Sequence, residues 1–269
     1  MIRRPAVAGT FYDADPRRLE STIRGFLQPG SFRKTIGVIA PHAGYLYSGA
    51  VAGAVYSRVE PPDSCIILSP NHTGLGAEAA VMREGEWETP LGTMAIDAER
   101  ASSLLEKGRP FQEDDTAHRN EHSIEVQLPF LQVLGVKRFV PITLMGVPFD
   151  ACEEMGKGLA EVVRESDRSV LLIASSDMTH YESRVAAEVK DRTALERIEA
   201  LDPAGLYEVV LQKRITMCGF IPVTIMLIAA KALGAKKAET VRYATSGDVT
   251  GDYDQVVGYA GVIVYSGDV

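Results

Sequence analysis

The sequence predicts an α/β protein folded as a single three-layer α/β/α domain. Continuous apolar runs bounded by turn formers recur along the chain, and runs of this kind are strands buried on both faces. Segments with helical periodicity separate them, so strands and helices alternate throughout. No linker, repeat or low-complexity stretch divides the 269 residues, and a hydrophobic content of 46% suffices for a sizeable core.

The first helix is predicted at Pro16, with Asp15 as its N-cap, because proline suits the first helical position and an aspartate suits the cap. Leu19, Ile23, Phe26 and Leu27 supply its apolar stripe. A strand follows at 36–40, a helix rich in small residues at 48–59, and a strand at 65–69. Residues 79–96 read as a hairpin excursion with 87–92 as its loop. Helices are predicted at 97–107 and 121–134, a strand at 139–144, a helix at 150–165 and a strand at 170–174. Helical patterns at 183–199, 203–212 and 220–233 precede closing strands at 240–243 and 258–265.

Composition excludes several classes. A net charge of -8 argues against nucleic acid or an anionic membrane surface, both of which need clustered Lys and Arg. The longest apolar stretch, Cys218 to Ala230, is short for a membrane span and contains Pro222 and Thr224. Met1-Ile2-Arg3-Arg4-Pro5 is not followed by the apolar region of a signal peptide. Cys65, Cys152 and Cys218 are odd in number and widely spaced, which points to a reducing compartment and a cytoplasmic location. Neither GxxxxGK[ST] nor a well-placed GxGxxG is present, so nucleotide binding has no support.

Three of the five histidines sit at strand ends. Ile36–Ala40 runs into Pro41-His42-Ala43-Gly44, Cys65–Ser69 into Pro70-Asn71-His72-Thr73-Gly74, and Val170–Ala174 into Ser175-Ser176-Asp177-Met178-Thr179-His180. Open α/β sheets place their ligand sites beyond the carboxyl ends of such strands. Neutral imidazole is the commonest protein metal ligand, so His42 and His72 are expected to share a metal site there. Each histidine alone could equally be a turn residue bonded to backbone.

Cys218, just before an apolar helix, is the best third ligand. The positive end of the helix dipole favours its thiolate, although free cysteine is often simply a small buried hydrophobe. Cys65 and Cys152 fit that second description. Asp177 and His180 are candidates for acid/base work or for orienting the ligands, with a cap or Asx-turn as the competing role of Asp177. His118-Arg119-Asn120-Glu121-His122 matches H-x-x-E-H, a zinc-peptidase pattern that works only on one continuous helix. Asn120 is a plausible N-cap that leaves His118 outside the helix. His122, with Glu125 nearby, is therefore expected in the cleft of His42 and His72.

Five separated motifs then resemble one family. They are Pro41-His42-Ala43-Gly44-Tyr45-Leu46-Tyr47-Ser48-Gly49, Ser69-Pro70-Asn71-His72, Glu121-His122-Ser123-Ile124-Glu125, Ser175-Ser176-Asp177-Met178-Thr179-His180-Tyr181 and Met217-Cys218-Gly219. With Arg4–Tyr12 and Ser246-Gly247-Asp248 they closely resemble the Memo family, from about Arg3 to Tyr265.

The resemblance implies the fold of class III extradiol dioxygenases, non-haem iron enzymes in which two histidines and a glutamate hold iron(II). It places His42 and His72 at the histidine-ligand positions and Cys218 where those enzymes carry the carboxylate. It sets His122, Asp177 and His180 along the same cleft, as the catalytic candidates. It also implies a radical-SAM partner protein in prokaryotes. Thiolate in place of carboxylate softens the site and admits copper or zinc as well as iron, so ring cleavage does not carry over with the fold.

The expectation is a metal-binding redox or oxygen-related enzyme using iron or copper, of unknown substrate. The rival is a non-catalytic module that binds a peptide or small-molecule ligand in the same cleft. A third reading, a zinc hydrolase, lacks a convincing general-base glutamate beside the ligands.

Overall fold

The computed structural model describes residues 1–28 and 32–267. In chain order the elements are β1 (Ile2–Arg3), α1 (Pro16–Phe26), β2 (Thr35–Ala40), α2 (Tyr45–Tyr56), β3 (Ser64–Pro70), β4 (Ala79–Val81), β5 (Glu86–Thr89), β6 (Gly92–Ile96), α3 (Ala98–Lys107), β7 (Gln112–Glu113), α4 (Leu128–Val133), β8 (Arg138–Leu144), α5 (Phe149–Arg164), β9 (Val170–Ser175), β10 (His180–Glu182), α6 (Arg184–Glu199), α7 (Pro203–Gln212), α8 (Phe220–Ala232), β11 (Lys237–Thr245), α9 (Gly247–Thr250) and β12 (Val256–Tyr265).

The centre of the sheet is β8-β3-β9-β2, all parallel, with Ile67 opposite both Pro141 and Ile173, and Val38 opposite Ile173. Ile66, Ile67, Leu68, Leu172 and Ile173 are each 0% exposed. Successive residues point to opposite faces of a strand, so both faces are covered, as the unbroken apolar runs require. β12 closes one side antiparallel to β2 and carries β11 as a hairpin partner. On the other side β6 lies parallel to β8, β5 returns antiparallel to β6, and β1 pairs with β5.

Helices cover both faces. α2 packs on β2, β11 and β12 with α1 against it, while α8 packs on β2, β3 and β9, with α5 and α7 against α8. Two glycines allow these approaches. A Cβ at Gly261 would lie 2.5 Å from Val55 on α2, and one at Gly37 would lie 2.6 Å from the Met226 sulfur on α8. The two residues project to opposite faces, which makes the arrangement three layers. Because the four central strands are parallel, Ala40, Pro70, Leu144 and Ser175 all end at one edge.

Asp15 caps α1 as expected, accepting from the N–H groups of Arg17 and Arg18. Two expectations need correction. The hairpin loop is only Pro90-Leu91, because Trp87 to Thr89 belong to β5. The predicted helix at 121–134 shrinks to a 3₁₀ turn at Glu125–Gln127 followed by α4. Asn120 does not cap it. Glu121 instead folds back to accept from the N–H groups of His122 and Ser123, which holds that segment in a turn. Pro129, without an N–H to donate, sits in the first turn of α4.

Candidate metal centre

Three loops leave the carboxyl edge of β2, β3 and β9 and carry His42, His72 and Asp177. The loop after β9 is pinned at every backbone N–H. Ser176 donates to Ala40 O (3.0 Å), Asp177 to Cys218 Sγ (3.3 Å), Met178 to Gly258 O (2.8 Å), Thr179 to Asp191 Oδ1 (2.9 Å) and His180 to Thr216 Oγ1 (2.7 Å). Four separate parts of the chain therefore fix one short turn. Asp177 in turn accepts from the His42 N–H at 2.8 Å, a bond between the loops after β2 and β9 and neither a helix cap nor an Asx-turn.

The ligand atoms of His42, His72 and His122 all lie within 4.8 Å of one another. His42 is 2% exposed, and its Nδ1 lies 2.9 Å from Ser175 Oγ. The His72 Nδ1 lies 2.9 Å from Glu121 Oε1, and the His72 N–H donates to Glu121 Oε2 at 2.5 Å. The His122 Nδ1 is 3.5 Å from the same Glu121 oxygen. The Nδ1 of His42 and that of His72 thus bond to partners outside the cluster, the arrangement in which outer groups orient metal-ligating imidazoles.

Cys218 reaches this group through His42, with Sγ 3.3 Å from Nε2. His180 stands at the rim on β10, its Nδ1 2.9 Å from Thr216 O. His118 is apart from the cluster. It is fully buried, 2.9 Å from Thr143 Oγ1, and edge-on to Trp87. Burial, aided by the Arg3 charge, takes its pKa down to about 3. The H-x-x-E-H match is therefore a coincidence of spacing, and the peptidase reading falls with it.

Protonation follows from the surroundings. Burial and the neighbouring His72 and His122 push His42 well below the ordinary histidine range, and burial also lowers His122. Burial opposes protonation of His72 too, but its bond to Glu121 outweighs this and raises its pKa. Burial likewise works against ionised Glu121, yet the bonds from His72 and Ser123 bring it down to about 2. Burial raises Asp177. Burial and the Asp177 charge push the Cys218 thiol up. Burial and the neighbouring carboxylate thus oppose the thiolate that the helix N-terminus would favour.

Glu121 and Glu125 stand in a motif visible in the sequence, but nothing there marks what they bond to. Glu121 is fully buried and also accepts from Ser123 Oγ at 2.8 Å. Glu125, expected beside His122, turns away. It accepts from the N–H groups of Ala6 (2.7 Å) and Val7 (3.0 Å) and from the Tyr12 hydroxyl (2.6 Å), and it pairs with Arg3. Arg3 also donates to His118 O at 2.9 Å and Glu121 O at 2.6 Å and stacks 4.1 Å over Trp87. The N-terminal segment is in this way a strap across the loop that carries Glu121 and His122.

No helix among the described residues is long and apolar enough to cross a membrane. An uncharacterised protein of Escherichia coli K12 aligns over 86% of this chain and 100% of its own, with a TM-score of 0.55 at 12% identity. That likeness shows the fold alone, and it is consistent with the dioxygenase-like α/β arrangement. MEMO1 family proteins are much closer in sequence. That of Methanopyrus kandleri is 47% identical over 99% of this chain and 100% of its own length, and that of Methanothermobacter thermautotrophicus is 45% identical over 97% and 99%. That of the bacterium Aquifex aeolicus is 42% identical over 97% and 98%. Residues 3–263 match the family of Memo-like proteins, and the chain belongs to that family.

Proposed function

We propose that the protein is a metal-dependent enzyme of redox or oxygen chemistry, with iron or copper held by His42, His72, His122 and Cys218. The observation that carries this is the convergence of three imidazoles, two of which, His42 and His72, have Nδ1 bonded to a partner outside the cluster. The donor pair of His42 and Cys218 passes a simple test of fit, and the ligand atoms of the three imidazoles lie within 4.8 Å of one another. Metal–nitrogen and metal–sulfur bonds of about 2.0–2.1 and 2.3 Å, meeting at 90–110°, place nitrogen and sulfur about 3.1–3.6 Å apart. The His42 Nε2 to Cys218 Sγ distance is 3.3 Å. Imidazole with thiolate suits iron, copper or zinc rather than magnesium or calcium.

A bound iron or copper would supply electron transfer or oxygen activation. The chain's own residues divide the remaining work. Ser175 and Glu121 orient His42 and His72. Cys218 must shed its proton to become a ligand, and the backbone N–H of Asp177, which donates to Sγ at 3.3 Å, stabilises the thiolate so formed. His180, half-buried at the rim, is the group placed to exchange protons with an incoming molecule. Glu121 is no general base for hydrolysis, because a carboxylate titrating near 2 and saturated with donors does not take a proton at neutral pH.

One observation favours the non-catalytic reading. Leu46 (70% exposed) and Tyr47 stand in the first turn of α2, Leu75 (50%) in the loop after β3 and Tyr181 (73%) on β10, each within a few residues of His42, His72 or His180. Tyr181 is held there at φ 58°, a conformation bulky residues rarely adopt. An apolar rim of this kind suits capture of a small molecule or peptide with or without turnover.

Anaerobic purification, metal analysis and electronic spectroscopy test the proposal. A stoichiometric metal, lost in His42→Ala and His72→Ala and spectrally sensitive to oxygen or ligand, is the expected result. Absence of stoichiometric metal from wild type reconstituted with excess iron or copper would overturn it.

A further inference from the structure

We infer that Ser175, held by Gln127, is a positioning residue that locks His42 in one tautomer, with the proton on Nδ1 and the lone pair on Nε2. The direction of every hydrogen bond follows from backbone carbonyls, which can only accept. Ser175 Oγ lies 2.7 Å from Ser123 O, so its single proton goes there. The oxygen can then only accept from its other partners. One end of the Gln127 amide faces Pro41 O at 2.9 Å and Ala40 O at 3.4 Å, so that end is the NH₂. The amide oxygen accepts from the Tyr56 hydroxyl at 2.8 Å, and the NH₂ donates to Ser175 Oγ at 2.9 Å.

His42 Nδ1 lies 2.9 Å from the same Ser175 oxygen. It must therefore be the donor, because a lone pair there would face a lone pair. A neutral imidazole carries one N–H, so Nε2 is left bare and faces Cys218 Sγ at 3.3 Å. Ser175 thereby uses its whole capacity, one donation and two acceptances. Ser175, Gln127, Ser123 and Tyr56 are each 0% exposed and His42 is 2% exposed, so the network is closed off from bulk solvent.

Ser123 extends the control to the second imidazole. Its carbonyl fixes Ser175, while its N–H and hydroxyl donate to Glu121 Oε1 at 3.0 and 2.8 Å. That oxygen holds His72 Nδ1. One buried serine thus ties the group that orients His42 to the group that orients His72. The consequence for metal rests on the function proposed above, whereas the tautomer does not.

The experiment is long-range ¹H–¹⁵N correlation on metal-stripped protein labelled with ¹⁵N-histidine, at mildly alkaline pH, with His42 assigned by its loss in His42→Gln. Wild type should show a protonated Nδ1 and an unprotonated Nε2 for His42. The opposite pattern overturns the lock without any variant having to fold. In Ser175→Ala, with folding checked by circular dichroism, His42 should show mixed tautomers and zinc alone should bind about 10–100-fold more weakly. Ser175→Thr, which keeps the hydroxyl, should restore both. An unmixed Nδ1–H tautomer in folded Ser175→Ala would show that Ser175 does not set it. Failure of wild type to bind zinc while the Nδ1–H tautomer is intact would overturn the metal reading and leave the lock standing.

Discussion

Replacing Glu121 by glutamine removes one charge from the best-satisfied buried carboxylate beside the candidate centre. Four donors converge on Oε1, namely His72 Nδ1, the N–H groups of His122 and Ser123, and Ser123 Oγ, while the His72 N–H meets Oε2. A glutamine can keep its oxygen toward the four, but its NH₂ then faces the His72 N–H, donor against donor. Breaking a buried pair from one side costs about 3–5 kcal/mol, and the low end applies because His72 can shed its proton. A domain stable by about 5–15 kcal/mol survives this.

The pH dependence is the sharper part. Glu121 falls from an ordinary 4.5 to about 2 in the folded state. A carboxylate with a depressed folded pKa contributes stability above its unfolded pKa and loses it as pH falls through the folded one. At ~1.36 kcal/mol per unit this is ~3 kcal/mol in all, of which ~2 kcal/mol has gone by pH 3. His72 has a raised pKa, so its contribution is present below its unfolded value near 6.5 and is lost as pH rises.

In the variant His72 loses the partner that outweighed burial and keeps only the weaker pull of the Asp177 charge, so its protonation on acidification becomes destabilising. The stability difference between wild type and Glu121→Gln should therefore grow as pH falls through 6.5, crest near 5, and shrink below 4.5. Asp177 and Asp191, whose pKa values burial raises, act alike in both proteins and cancel. Urea unfolding of both proteins in chelator from pH 8 to pH 3 measures the curve. A flat difference would refute an ionised Glu121 bonded to His72.

Three further outcomes are expected. His180→Ala should keep stoichiometric metal, because its ring is bonded to Thr216 O at the rim, while His42→Ala and His72→Ala should retain none after dialysis; equal metal in all three would contradict the ligand set. Arg3→Met leaves Glu125 buried without its cation and frees two carbonyls, so unfolding should become easier by about 3–5 kcal/mol. Fluorescence of Trp87, the chain's single tryptophan, reports that loss directly, and unchanged urea midpoints would show the strap to be idle. In metal-free protein, Asp177→Asn should speed iodoacetamide labelling of Cys218 several-fold by removing a charge that holds the thiol up, with fully buried Cys65 unchanged; equal rates in wild type and variant would leave desolvation as the sole cause.

What could be read from the sequence divides along a physical line. Strands buried on both faces leave unbroken apolar runs, and their ends locate the carboxyl edge, so His42, His72 and Asp177 could be placed together before any coordinates. Helices beginning at a capping aspartate and a proline were equally plain, as at Asp15 and Pro16. The segment from His118 to Gln127 defeated pattern reading because its shape is set by side chains accepting from backbone. Glu121 takes the N–H groups of His122 and Ser123 together with that of His72 from the loop after β3, and Glu125 takes those of Ala6 and Val7, more than a hundred residues away in sequence. No periodicity encodes a bond across that separation. Ser175 and Gln127 were invisible for a related reason: each looks like an ordinary polar residue at the end of an apolar stretch. Their meaning lies in which neighbour is an obligate acceptor. The ligands of such a centre are written into strand ends, whereas the protonation and orientation of those ligands are written into contacts between distant loops, and there the structure adds what the sequence withholds.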